Sequence, residues 1–173
     1  DDADYACDAL VQENLVRPLG DEFLFAHALV WEGTYASLLT EQKEAWHRAA
    51  AQWHAHSDPA LSAEHLERAR DARAPRAYLD AARAEKALHH MARAAQLLER
   101  GVALAATVED RVDLLIELGA LLPGIGRPQD AISIYEQLLR LAGDDRLRCR
   151  AKIGLAAGMR ASDRQAEALT ELD

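Results

Sequence analysis

Seven histidines, two cysteines and twenty-nine acidic residues are the groups in this sequence that could carry chemistry. His47 and His54 are seven apart and would share a helical face, but no acid or cysteine joins them at ligand spacing. His54 and His56 fall about 200° apart around a helix, and His89-His90 sits in a predicted turn. A helical zinc site needs two ligands at i and i+4 with a further partner, as in HExxH, and that pattern is missing. His27 and His47 are therefore read as histidines buried at a helix junction and hydrogen-bonded. Nucleophilic chemistry has no better footing. There is no GxSxG elbow, and Cys7 and Cys149 lack neighbours that would activate a thiolate. The acids alternate with arginines at i+3 and i+4, as in Glu64–Arg68 and Glu67–Arg70, solvated pairs worth a few tenths of a kcal/mol. The expectation is no catalytic residue, no cofactor and no metal.

The elements that would position these groups are helices. Half the residues are apolar but only 5% are aromatic, a mixture suited to helices packed through small side chains rather than to a sheet. A chain of 173 residues fits one or two small domains and can bury roughly 70% of its unfolded surface. Its apolar runs are far below the roughly 18–20 residues of a membrane span, so no membrane partner is expected. Two cysteines so far apart make no disulfide framework, which predicts a reducing, cytoplasmic setting; Cys149 is read as a small filler on the inward face of a helix. Residues 1–40 hold eight acids and one base, −7 of the net −9, and this argues against phosphate-backbone binding there. The chain opens without methionine on helix-like sequence and stops inside another helix pattern, ALTELD. It is expected to be a piece of a longer protein.

Residues 113–142, DLLIELGALLPGIGRPQDAISIYEQLLRLA, read as two antiparallel helices around a turn at Gly124-Ile125-Gly126. Leu115, Leu118-Gly119, Leu122, Ala131 and Tyr135 resemble the pattern of a tetratricopeptide repeat. Gly119 and Ala131 are small where two helices must cross closely. The pair recurs 35 residues on as Gly154 and Ala166, and less cleanly upstream as Ala82 and Ala94. A period near 34 is that of this repeat class. Residues 75–106 form the weaker upstream hairpin, whose turn near His89-His90-Met91 lacks the usual glycine. Residues 145–160 and 163–172 form the last, with Ser162 and Gln165 as a capping box.

Ahead of the repeats, residues 5–16 read as a helix, Pro18 and Gly20-Asp21 as a turn, and 23–25 as a short strand. This resembles the back half of a winged helix. With Arg17 the sole base among forty residues, the expected role is a structural joint rather than DNA reading. Phe25, His27, Leu29, Tyr35, Leu38 and His47 then follow the order F-x-H-x-L…Y-x-x-L…H. That order resembles the junction of bacterial STAND-type signalling ATPases, which include LuxR-linked activators and adenylate/guanylate cyclase-linked regulators. The resemblance implies a nucleotide-binding domain before this point and tetratricopeptide-like helices after it. No GxxxxGK[ST] occurs here, so any ATPase activity would lie elsewhere in the parent. Thr40-Glu41 is read as capping a helix to about His56, with Ala45, Trp46, Ala49 and Trp53 on one face. Ser57-Asp58-Pro59 restarts the chain.

The fold expected is an all-α, right-handed superhelical array of tetratricopeptide-like hairpins, preceded by the tail of a winged helix with one short β-hairpin. The segments are 1–26 for that tail, 27–74 for linking helices and 75–173 for repeats. In tetratricopeptide proteins the first helix of each pair lines a groove. By that register the groove positions are Arg76, Leu79, Arg83 and Lys86, then Asp113, Ile116 and Ala120, then Arg148, Ala151 and Leu155. The resemblance implies the sensor or interaction arm of an ATP-dependent regulator. Its partner would be a protein, a peptide or an inducer, including the parent's own nucleotide-binding domain. The alternatives are a passive scaffold and, less favoured, a nucleic-acid-binding helical domain.

Overall fold

The structure, a computed structural model, describes residues 2–20 and 22–162. The chain divides into two compact units, 1–45 and 46–173.

In the first unit, α1 (Asp2–Gln12) leads into a two-stranded antiparallel hairpin, β1 (Val16–Leu19) and β2 (Glu22–Phe25). Val16 faces Phe25 and Pro18 faces Phe23. Pro18 thus lies within a strand, not in the turn as expected, and a two-stranded ribbon leaves it an edge position where a missing N–H is tolerated. Gly20 supplies the left-handed bend, with φ 60°. Helix α2 (Ala28–Ser37) follows. His27 precedes it in extended conformation and makes no side-chain cap; its carbonyl, not its ring, accepts from Val30 and Trp31 N–H. The ring is exposed, which corrects the expectation of a buried histidine.

Helix α3 (Thr40–His54) carries the division between the units. Thr40 is inside the helix rather than its cap. The N-terminal contact comes from Leu39 N–H donating to Gln42 Oε1 at 3.1 Å, the return half of a capping box without its hydroxyl. Within the second unit, the Trp46, Ala49 and Trp53 face of α3 is exposed, with Trp53 at 82%. The face of α3 that packs carries Ala51 instead.

The second unit continues as α4 (Pro59–Arg68), α5 (Ala74–Ala87), α6 (Met91–Leu104), α7 (Val108–Leu121), a 3-10 turn (Leu122–Ile125), α8 (Pro128–Leu141) and α9 (Asp145–Ala161). Asp58 caps α4 through Leu61 N–H at 3.0 Å, with Pro59 in the first turn. Thr107 and Asp144 cap α7 and α9 in the same way, through Asp110 and Leu147 N–H. One apolar cluster runs from Ala60 to Met159, and Leu79, Leu114, Leu115, Leu122 and Leu138 are fully buried in it. The small residues are there because large ones face them. Tyr135 of α8 lies against Gly119 of α7 and against Gly154 of α9, and a Cβ at either glycine would overlap its ring. Ala131 is completely buried. The array of tetratricopeptide-like hairpins expected from the 34–35-residue period is therefore the architecture observed.

Two turns differ in how they reverse the chain. After the 3-10 turn, Gly126 takes φ 78° without a steric penalty. Between α5 and α6 the corresponding left-handed residue is His89, with φ 63°, a conformation that costs a side-chain-bearing residue roughly 1 kcal/mol. Cys149 is exposed, not the inward filler expected, because Ala151, Gly154, Leu155 and Gly158 form the packed face of α9. The expected final helix, 163–172, with Gln165 and Ala166, lies outside the described residues; Ser162 instead returns its hydroxyl to Gly158 O at 3.0 Å.

Candidate functional site

Helices α5 and α7 present a row of charged side chains that cross-link them. Arg76 donates to Asp113 at 2.9 Å, and Arg83 and Lys86 both reach Glu117, at 3.2 and 3.3 Å. Arg83 also lies 3.6 Å from Asp80 on its own helix. Three cations thus meet three acids, Asp80, Asp113 and Glu117. The basic trio is balanced from within and is not a free positive patch. Burial pushes the Glu117 carboxyl up, but the hydrogen bonds from Lys86 and Arg83 outweigh it and hold the group below its ordinary range. Glu117 falls outside the repeat-equivalent positions; its signal in the sequence is opposite charge 34 and 31 residues after Arg83 and Lys86, one repeat away.

The expected groove positions separate into two sets. Arg76, Arg83 and Lys86 are exposed, Asp113 and Ile116 are half-buried, and Ala120 is exposed. Leu79, at 1% exposure, is instead core. It packs in the apolar cluster with Tyr78 and Ala82, whereas Asp80, about 40° around the helix from Arg76, is exposed. On α9, Arg148 is exposed and pairs with Asp145 one turn earlier. Ala151 and Leu155, at 0% and 3%, belong to the core, on the face of α9 that also carries Gly154 and Gly158. The face brought together is therefore Arg76, Asp80, Arg83, Lys86, Asp113 and Glu117, with Ile116 beside it.

A cleft of 780 Å³ opens elsewhere, lined by Glu64, Glu67, Arg68, Tyr78, Arg93 and Arg100 among others. At its base Tyr78 donates to Glu67 Oε2 at 2.6 Å, and Arg100 grips the same carboxylate through both oxygens. The Arg100 hydrogen bond is the main reason the Glu67 acid is held low; burial opposes it and Tyr78 assists. Burial, then Glu67, raises the Tyr78 phenol. Tyr78 and Arg100, from α5 and α6, thus clamp one carboxylate of α4.

Three of the seven histidines, His47, His54 and His65, form a cluster that spacing alone did not reveal. His65 of α4 comes between positions 47 and 54 of α3, and His47 is half-buried and hydrogen-bonded to it. Among the described residues no group of three or more His, Cys, Asp or Glu side chains is arranged to hold a metal ion. Nor is any described helix long and apolar enough to cross a membrane.

No protein-family model matches the chain, and no curated protein sequence matches it. Solved structures do. TPR-like repeats assigned to a kinesin light chain of Podosopora anserina superpose with a TM-score of 0.53 at 22% identity, covering 83% of this chain and 79% of that one. A crystal structure of MamA superposes with a TM-score of 0.51 at 19% identity, covering 82% and 80%. At these identities the likeness speaks to fold, and the fold is that of a TPR-like repeat array.

Proposed function

We propose that this chain is a non-catalytic interaction arm of a multidomain, ATP-dependent bacterial signalling or transcriptional regulator. It would bind a protein or peptide on the outward face of α5 and α7. The observation that carries the reading is the row Arg76, Asp80, Arg83, Lys86, Asp113 and Glu117, with half-buried Ile116, on a TPR-like array. Exposed ion pairs of this kind contribute about 0–1 kcal/mol each, so a partner carrying both signs of charge can exchange with them at little cost. The ATPase context rests on the resemblance of Phe25, His27, Leu29, Tyr35, Leu38 and His47 to the STAND junction. In that context occupancy of the face would bias the on and off states of the parent.

The test is binding to the parent's nucleotide-binding domain with ATP, with ADP and with neither. Nucleotide-dependent binding that is lost on reversing Arg76, Arg83 and Lys86 to glutamate is the expected result. Equal binding in all three conditions would sink the switching arm and leave a passive scaffold. That second reading is favoured by one feature, the internal balance of the charged row, which needs no ligand to complete it.

A further inference from the structure

Three imidazoles meet on the seam between α3 and α4. Nδ1 of His47 and Nδ1 of His65 are 2.9 Å apart, with ring centres at 5.1 Å. His54, two turns beyond His47, stacks on the His65 ring at 5.8 Å with planes 11° apart. A hydrogen bond between two ring nitrogens needs a proton on one and a lone pair on the other. With both rings protonated, two N–H groups would point at each other and two positive charges would share the seam.

The surroundings favour the neutral rings. Burial is the first cause holding His47 below its ordinary value, and Arg68 is the second. His65 is lowered by burial, then by His47, Arg68 and His54, with Glu64 opposing. Arg48, next along α3, adds a further cation in this region and acts on Asp71. The apolar cluster described here is Ala51, Leu66 and Ala74, and Ser62 Oγ–H donates across the seam to Ala51 O at 2.8 Å.

We propose that the α3–α4 seam is a proton-operated joint, in which the His47–His65 hydrogen bond holds α3 on α4 and protonation of both rings releases it. The sign follows from linkage. A histidine depressed in the folded state contributes stability that is complete above its unfolded value of 6.5. That stability is lost as the pH falls from 6.5 through the folded value. The joint is therefore closed at neutral pH and begins to loosen as the pH falls below 6.5. It is independent of the partner-binding reading.

The experiment is an NMR titration of the histidine ring protons in the whole 173-residue chain, from about pH 8 to about pH 5, with thermal unfolding across the same range. His47 and His65 are expected to titrate below 6.5 and to move together. In His65→Gln the amide can still bond His47 but cannot take a charge. The wild type should lose at least about 3 °C more of its melting temperature than H65Q on acidification. Parallel losses in the two proteins would overturn the proposal. So would titration of either ring at or above the free-histidine value, a result readable in the wild type even if H65Q does not fold.

Discussion

The seam between α3 and α4 and the hairpin α7/α8, with α5 and α6 between them in the chain, are held by different chemistry. In α7/α8, Leu115, Leu118, Leu122 and Leu138 are buried, and Gly119 lets the Tyr135 ring lie directly on the helix. In α3/α4 the apolar contribution is Ala51 and Leu66 with Ala74, and polar groups complete the seam: His47, His65 and Ser62. Apolar packing depends little on pH, whereas an imidazole pair depends on it between 5 and 7. The difference teaches that a repeat fold can keep its geometry while one of its joints is given over to titratable groups.

The contrast is open to breaking by mutation. The largest effect expected is from Leu115→Ala, at a site with no exposure, costing about 3–5 kcal/mol in urea unfolding. Leu66→Ala, in the small cluster, should cost about 2 kcal/mol, nearer the low end of the range for such truncations. Gly154→Val should cost about 1–3 kcal/mol by overpacking the Tyr135 ring. Combined with Tyr135→Leu its penalty should shrink, and additive costs in that double-mutant cycle would contradict the contact.

His89→Gly is a gain instead, about 1 kcal/mol, because it relieves a left-handed residue that bears a side chain; an unchanged urea midpoint would count against it. Acid titration should then separate two windows. The histidine seam weakens below 6.5. Glu67 and Glu117, whose carboxyls are lowered from 4.5, contribute stability above that value and lose it as pH falls through their folded values. Asp71, held down to about 2 by its hydrogen bond from Arg73, loses its share last. A single unfolding step with pH would contradict the separation. The smallest effect is from Arg76→Ala, about 0.5 kcal/mol or less, since its pair with Asp113 is half exposed.

Much of the array was legible because close packing imposes spacing. Gly119 with Ala131, and Gly154 after 35 residues, mark places where side chains must be small, and the structure fills those places with Tyr135 and its neighbours. The outward face was only partly legible. Position in a repeat identified Arg76, Arg83 and Lys86, but Leu79 packs into the core and Asp80 is exposed beside them. Glu117 could have been found by asking for opposite charge one repeat away. The His47–His65 pair was harder. It joins helices whose relative rotation no local period specifies, and i+4 spacing relates residues of one helix only. Trp46 and Trp53 misled for the opposite reason. A shared apolar face predicts packing, yet α3 turns Ala51 inward and leaves both tryptophans exposed.

Native-state hydrogen exchange at about pH 7.5, resolved by residue, tests most directly whether the two hairpins are held differently. The expected result is that the α3 amides from Ala49 to His54 exchange through an opening easier than global unfolding. Those of α7 and α8 around Leu115, Leu118 and Leu138 should exchange only with the whole array. Equal protection in α3 and α7 would contradict it, for it would mean that the thin histidine seam closes as firmly as the leucine core.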